Sequence, residues 1–407
     1  MIKINPVVII LMIIIISFPA ELLSSEEEGL RITKINIEGN KRTRNDYILR
    51  IINVSPGDKW TPQTDENIRQ RLIARKIFVA DTLRVSSEPS DDGYIINIFI
   101  EDKWTLIPLP MAMISNDNWM AGVMILEMNF LGRGIMINGG LFVSENSISG
   151  MTGIGFKNIF FSGGYIEQNR NDKTIENKEE KTVRSFKVDR PFAEISPNIK
   201  INNWKLSVSV GYQHAEISEA DYNITDYAPE TEDYITGGFS VSFNNLEYKS
   251  GYNCGTDAQL SINCMNPDYY SLKLKGSYSL TAADLLLSAA ADSGFGDLPA
   301  TNQFQIGNGK SGSMTLPDSI YATRYFSTNV SITKKIINTK KLDLNLLALY
   351  ESGVCRDLFE KNIYYYGPGS GFTITFDRIA VPALGIYCTW NIPLAQPYTI
   401  VTFGMRF

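Results

Sequence analysis

Most of the chain consists of segments in which apolar and polar residues alternate. In "WKLSVSVGYQ" (Trp204–Gln213), apolar residues fill the even positions and polar residues or glycine the odd ones. Apolar residues also recur at every second position over most of "ITGGFSVSFNN" and "YSLKLKGSYSL". Strict alternation indicates a β-strand with one apolar and one polar face. Roughly sixteen such segments, each about ten residues long, follow one another from Trp104 onward, which suits tilted strands that cross a bilayer.

The last segment keeps this pattern to the final residue. In "YTIVTFGMRF", apolar Phe403, Met405 and Phe407 alternate with Gly404 and Arg406. Soluble domains usually close with a frayed, hydrophilic end. We therefore expect this last strand to close a larger structure, such as a barrel.

A soluble β-sandwich would also have one apolar and one polar face on each sheet. Against it, the segments are long and numerous, and aromatic residues cluster at segment ends, as in interfacial girdles: Trp204, Tyr212, Tyr270 and Tyr350. Lipid does not tolerate an open sheet edge, so membrane strands must close on themselves. We predict an all-β transmembrane antiparallel barrel of about 16 strands over residues 104–407.

Residues 30–103 have a different, mixed pattern. "LRITKINIEG" alternates as a strand, "TRNDYILRII" and "TPQTDENIRQRLIARKIF" have helical spacing, and "DTLRVSSEP" and "GYIINIFIED" are again strand-like. The order strand, helix, helix, strand, strand predicts a small α+β domain with a three-stranded sheet. The segment Asp81–Ser87 is expected at the edge of that sheet.

The N-terminus is typical of an export signal. Lys3 precedes the apolar run Val7–Ile16, and small and polar residues follow. The run is too short to span a bilayer, so we predict a signal peptide over residues 1–25, cleaved between Ala20 and Ser25. No cysteine follows the run, which argues against a lipoprotein.

Composition narrows the function classes. The net charge is −6, with no basic stripe, so nucleic acid is not an expected partner. The chain has one histidine and four scattered cysteines, which argues against a metal site and leaves any disulfide pairing open: Cys254, Cys264, Cys355 and Cys388. The glycine-rich "GNGKSG" lacks the first glycine of a phosphate-binding loop. We expect neither enzyme activity nor a cofactor.

The combined architecture resembles the BamA/TamA-like outer-membrane assembly superfamily (bacterial surface antigen family), in which a POTRA domain (residues 30–103 here) precedes a 16-stranded barrel. "INIEGNKRT" is similar to the POTRA opening, with Gly39 and Asn40 at the turn. "EDKWTLIPLP" resembles the junction into the barrel. "EMNFLGRG" resembles the family's second-strand turn, which would consist of Asn129, Phe130, Leu131, Gly132, Arg133 and Gly134.

One motif of the family is missing. Its sixth external loop carries an Arg-Gly-aromatic motif whose arginine is held by an acidic residue on strand thirteen. Here Gly307 and Gly309 match the preceding glycines, but no such motif follows. "LYESGV" resembles the strand-thirteen motif, with Glu351 as the acid and Gly353 kept. Either Lys310 or Arg324 replaces the arginine, or the lock is absent.

The resemblance implies a mechanism based on strand edges. A barrel closed by its first strand, predicted from Trp104 to Met113, and its last strand has one seam, and a seam that opens exposes a pairing edge. Gly404 would weaken that seam or merely fill a crowded position. Phe403, Met405 and Phe407 would form the C-terminal assembly signal.

Four function classes follow: assembly or insertion of outer-membrane proteins, a two-partner-type secretion translocator, a passive porin, and a surface antigen without assembly activity. The first is preferred. The expected partners are outer-membrane lipids and either unfolded outer-membrane clients or a secreted protein. Periplasmic accessory proteins are a further class of partner. The expected location is the bacterial outer membrane, with the N-terminal domain in the periplasm.

Overall fold

The computed structural model describes residues 30–403 except 76, 80–81, 116–118, 223–227, 250–251, 267, 308–310, 318–319, 340–341 and 376–383. The predicted signal peptide lies outside the described residues. The chain divides into two compact units between Lys103 and Trp104. Within the described residues, no helix is both long enough and apolar enough to span a membrane.

The first unit is the predicted βααββ domain. Its elements are β1 (Ile32–Glu38), α1 (Asn45–Ile52), α2 (Thr64–Ile73), β2 (Arg84–Ser90) and β3 (Gly93–Phe99). The sheet order is β1-β3-β2, with β1 parallel and β2 antiparallel to the central β3. The core consists of fully buried residues from both helices and from β3: Ile48, Ile52, Ile68, Leu72, Ile96 and Ile98. The segment predicted as an edge strand therefore contributes to β2, which lies at an edge.

The second unit is a closed barrel of sixteen long antiparallel strands within the described part of the chain. They are β4 (Leu106–Ser115), β5 (Trp119–Phe130), β6 (Ile135–Ser144), β7 (Ser147–Phe156), β8 (Ile159–Glu176), β9 (Glu179–Ile201), β10 (Trp204–Tyr222), β11 (Glu232–Lys249), β12 (Tyr252–Met265), β13 (Tyr269–Ala282), β14 (Leu285–Asp297), β16 (Ile320–Asn338), β17 (Asp343–Asp357), β18 (Asn362–Thr375), β19 (Leu384–Asn391) and β20 (Gln396–Phe403). A short strand, β15 (Phe304–Ile306), pairs with β16.

The outer surface of the barrel is apolar. Large hydrophobic side chains are exposed there on successive strands, including Val210, Ile235, Leu274, Val330 and Leu346. The aromatic residues predicted for the girdles, Trp204, Tyr212, Tyr270 and Tyr350, are also exposed. A water-soluble protein would not display so large an apolar surface, whereas a lipid-facing barrel requires it.

Two boundaries differ from the sequence prediction. The first barrel strand covers Leu106–Ser115, so Trp104 precedes it. The polar stretch "NRNDKTIENKEEK", whose composition is typical of a solvated loop, instead extends the β8–β9 hairpin to a two-residue turn at Asn177 and Lys178, both with positive φ. Its inward side chains are buried, and this burial sustains the strand despite its polar composition.

Candidate functional site: the barrel seam and loop six

The first and last barrel strands meet in the shortest ladder among the described strands of the barrel wall. β20 pairs with β4 through four residue pairs, from Ile400–Ser115 to Phe403–Ala112. By comparison, β8 and β9 pair through eighteen. These four pairs are the described part of the seam, which ends at Phe403 and Ser115 beside residues 404–407 and 116–118.

Two prolines deprive the seam edge of β4 of donors. The N–H of Met128 in β5 donates to the carbonyl of Thr105 at 3.3 Å, so Thr105 faces β5. Backbone groups of alternate residues point to opposite neighbours, and the β4–β5 register has no shift. Consequently the even-numbered residues of β4 face the seam. Pro108 and Pro110 are among them, and neither has an N–H to donate.

The segment 298–317 between β14 and β16, called loop six here, folds back into the barrel lumen. Its first part is held by what we call the arginine clamp, Arg170 and Asp172 of β8 with Arg184 and Arg190 of β9. Arg170 donates to Ala300 O at 2.8 Å, and Arg190 donates to Thr301 O at 3.0 Å.

The clamp is a buried charge cluster. Asp172 accepts two hydrogen bonds from Arg170, at 3.0 and 2.8 Å, and one from Arg184 at 2.5 Å. Arg184 also contacts the side chain of Gln303. Asp172 and Arg184 are almost completely excluded from solvent. Such a cluster is stable only while each charge keeps its partner.

The tip of loop six is held by Glu351 in β17. One carboxylate oxygen accepts hydrogen bonds from the hydroxyls of Ser313 at 2.9 Å and Thr315 at 2.7 Å, and the other accepts the N–H of Met314 at 2.7 Å. No described lysine or arginine is within ion-pair distance of Glu351. Loop six thus reaches the strand-thirteen acid through hydroxyls and a backbone N–H.

Neighbouring strands complete this contact, which we call the Glu351 clasp. Thr389 and Asn391 of β19 donate to the carbonyls of Met314 and Thr315, at 2.8 and 2.6 Å. Ser327 of β16 donates to the carbonyl of Gly312 at 2.9 Å. Sequence reasoning missed all of these residues because scattered hydroxyls and amides have no recognisable spacing. The only signal was Glu351 itself.

The assignment of Arg324 to loop six was wrong. Arg324 lies in β16, paired with Phe295 of β14, and its guanidinium is 5.6 Å from the centre of that ring. Its neighbours Tyr325 and Ser327 face the lumen, so Arg324 faces outward and cannot reach Glu351. Lys310 and Gly309 lie outside the described residues.

The two other glycines predicted at this site occupy positions with little space. Gly307 has φ +100°, and a Cβ there would collide with the carbonyl of Pro317. A Cβ at Gly353 in β17 would collide with the Tyr365 ring. Among the predicted seam residues, Phe403 is the last described residue of β20, and Gly404, Met405 and Phe407 lie outside the described residues.

The predicted second-strand turn is a tight connection between β5 and β6. Leu131, Gly132 and Gly134 have positive φ, and Asn129 Oδ1 accepts the N–H of Gly134 at 2.8 Å. The N–H groups of Gly132 and Arg133 donate to the carbonyls of Asn129 and Phe130. The turn therefore depends on Asn129 and its glycines.

In the first unit, the predicted Gly39-Asn40 turn is held by the domain's C-terminal end. Gly39 has φ +87°, and Asn40 Nδ2 donates to Thr43 O and Asn45 Oδ1. The Asp102 carboxylate accepts the N–H groups of Lys41, Arg42 and Thr43 and the Thr43 hydroxyl. Burial raises the pKa of Asp102, but these hydrogen bonds outweigh it, and the pKa lies below its usual value.

Side chains that could hold a metal are not grouped within the described residues. Cys254, Cys264, Cys355 and Cys388 are all free thiols.

Comparisons with known proteins agree with this architecture. Residues 30–103 match the POTRA family model, described as a surface antigen variable number repeat. BamA from Haemophilus ducreyi lacking POTRA domains 1–3 superposes with a TM-score of 0.65 at 12% identity, covering 93% of this chain and 85% of that chain. A search of curated proteins finds no match.

CdiB from Escherichia coli is also similar, with a TM-score of 0.62 at 11% identity, covering 93% of this chain and 77% of that chain. CdiB from Acinetobacter baumannii gives 0.61 at 11% identity, covering 92% and 74%. At such identities the likeness concerns the fold.

These observations define an outer-membrane β-barrel protein with an N-terminal POTRA domain in the periplasm. The architecture, a POTRA domain followed by a sixteen-stranded barrel, is that of the BamA/TamA-like superfamily. The first barrel strand, β4, follows the POTRA domain and begins at the periplasmic end. Strand directions alternate from there, so β14, the eleventh barrel strand, ends at the extracellular side. Loop six therefore enters the lumen from the extracellular end.

Proposed function

We propose that this protein inserts unfolded β-barrel proteins into the outer membrane through its seam. The observation that carries the proposal is the seam edge of β4. There Pro108 and Pro110 have no backbone N–H to donate to a neighbouring strand.

A weakly paired seam lowers the cost of separating β4 from β20. Opening would expose the backbone groups of Ala112 and Ile114, which currently pair with Phe403 and Val401. A client strand could pair with these groups by β-augmentation and pass sideways into the lipid. The outer edge of β2 in the POTRA domain, where Asp65 already accepts the N–H of Ser87, offers a second place for an extended client segment.

The test is client insertion into liposomes. Full-length protein is reconstituted, and a small radiolabelled outer-membrane barrel protein is added in urea-unfolded form. We expect folding, measured by heat-modifiable migration on gels, to be at least about tenfold faster than with empty liposomes. Equal rates would contradict the proposal.

A secretion translocator is the second candidate, because the fold also matches CdiB. The same vesicles distinguish the two functions when an unfolded client is added outside. Insertion leaves the client in the lipid, accessible to protease only at its loops. Translocation would deliver it to the vesicle interior, fully protected.

A further inference from the structure

The lumenal face of the first barrel strands can be followed from strand to strand. Arg190 in β9 faces the lumen, because its side chain contacts loop six. Residues directly opposite in paired strands share a face of the sheet. The row that starts at Arg190 passes through Ile166, Ser149, Phe142, Gly122 and Met111, one residue in each of β8 to β4.

The lumenal side of β4–β7 is apolar and rich in methionine. The alternation places six of the chain's twelve methionines on it: Met111, Met113, Met120, Met124, Met136 and Met151. None of the described lumenal positions in these four strands carries a charged side chain. We call this surface the methionine wall.

The rest of the lumen has the opposite character. Its wall carries Arg170, Lys273, Asp292 and Glu351, among other charged residues. A polar lining is the rule for the interior of a large membrane barrel. The methionine wall departs from that rule on one side only, the side that borders the seam.

The methionine wall is accessible within the lumen. Met151 is 44% exposed, and Met120, Met124 and Met136 are half-buried. The hydrogen bonds described above for loop six, together with that between Gln213 of β10 and Asn302, involve no residue of β4–β7. Apolar side chains facing water carry a free-energy cost that a bound apolar partner would remove.

We propose that the methionine wall binds the apolar face of an unfolded client segment before that segment pairs with β4. This inference rests on the proposed insertion function and names the surface its client contacts first. The wall adjoins the seam directly. Met113 of β4 and Thr402 of β20 are opposite each other and line one cavity of about 310 Å³ with Glu351.

The chemistry of the wall selects this partner. A transmembrane β-segment has one continuous apolar face, which suits a surface without charges. Methionine is flexible and polarizable, so it adapts to side chains of different shapes, and clients of different sequence require that adaptability. A charged peptide or a lipid headgroup would find no counter-charge at the described lumenal positions of the wall itself.

Site-specific photo-crosslinking tests the proposal. The photoreactive residue p-benzoylphenylalanine replaces Met124 or Met151, and matched variants carry it at Ser240 or Ser261 in the polar lumenal wall. Full-length protein in liposomes receives the radiolabelled unfolded barrel client and is irradiated. We expect about tenfold more client adduct from the two wall positions than from the two controls.

Equal adduct yields at all four positions would overturn the proposal. So would adducts at Met124 and Met151 that contain only lipid. The double variant M124Q/M151Q should lower client adduct, read from the photoreactive residue at Met120, by about tenfold. Heat-modifiable migration verifies that each variant forms the barrel.

The outcome separates this inference from the proposed function. Wall adducts without accelerated insertion would support client binding and contradict insertion. Accelerated insertion without wall adducts would leave the insertion function standing and refute the methionine wall as its client surface.

Discussion

The β8–β9 hairpin and the β20–β4 seam are both antiparallel strand pairs, but their side chains and backbone donors differ. The hairpin pairs through eighteen residue pairs and carries a buried cluster of Arg170, Asp172 and Arg184. The described seam pairs through four residues, and its first strand presents two prolines to it. The hairpin anchors loop six through buried charges, whereas the proposed function requires β4 and β20 to separate at the seam.

The strongest test of the rigid side removes the only carboxylate in the arginine clamp. Asp172→Ala would leave Arg170 and Arg184 buried without their counter-charge, and we expect a loss of about 3–5 kcal/mol in unfolding free energy. Urea unfolding in detergent micelles measures it. Lys173→Ala, next in the same hairpin, removes an exposed ion pair with Glu180 and should cost under about 1 kcal/mol. Similar losses in both variants would contradict the role of burial.

The Glu351 clasp should give the next largest effect. Glu351→Gln replaces one of the two carboxyl oxygens that accept these three hydrogen bonds with an amide NH2 group, which we expect to weaken the clasp by about 2 kcal/mol. Release of the loop is measured by thiol labelling of Met314→Cys in an otherwise cysteine-free protein. This substitution leaves the clasp intact, because residue 314 binds Glu351 through its main-chain N–H. Thiol labelling should become about thirtyfold faster in the Glu351→Gln background. Asp292→Asn, a second lumenal acid, should leave the labelling rate nearly unchanged.

Asp102 provides a reference outside the barrel. Asp102→Asn should destabilise the POTRA domain by about 1–2 kcal/mol at neutral pH while leaving clamp and seam unchanged. The Asp102 pKa is depressed in the folded protein, so its contribution is complete above the unfolded pKa of about 3.9 and disappears as pH falls through the folded pKa. Hydrogen exchange of POTRA amides in the full chain, measured from pH 6 to the acid range, checks this. A pH-independent difference would contradict the assigned cause.

Restoring donors to the seam should strengthen the pairing of β4 with β20. Pro108→Ala with Pro110→Ala returns two N–H groups to the seam edge, and each new hydrogen bond would contribute about 1 kcal/mol. We expect client insertion to slow by about tenfold. Pro368→Ala, in β18 away from the seam, is the matched control and should not slow insertion. Unchanged rates in both variants would show that the prolines do not set the strength of the seam.

Sequence alternation predicted the barrel and its strand number, because lipid on one side and water on the other impose a period of two on every strand. The βααββ order of the POTRA domain followed from equally local signals. The hairpin extension at Lys173–Lys181 was missed, because its inward residues pack against a loop far away in sequence.

The contacts of loop six also could not be predicted. The resemblance to the family left Lys310, Arg324 or no lock as alternatives, whereas the described residues that bind Glu351 are Ser313, Thr315 and the N–H of Met314. Such a set of donors is defined only by the fold. The methionine wall is visible in the sequence only as apolar residues on both faces of β4–β7. That pattern is easily mistaken for the usual hydrophobicity of strands.

The most direct test of the central claim is a reversible disulfide across the seam. In a cysteine-free background, Met113→Cys with Thr402→Cys joins directly opposite residues of β4 and β20, at a pair where the strands lie close. A control disulfide, Ser277→Cys with Ala290→Cys, joins β13 to β14. Insertion of the unfolded client into liposomes is then measured before and after reduction.

If the seam is the route of insertion, the oxidised seam variant should insert client at least about tenfold more slowly than its reduced form. The control variant should insert at the same rate in both states. Equal insertion by the oxidised and reduced seam variants would contradict the account, because a covalently closed seam cannot admit a client strand.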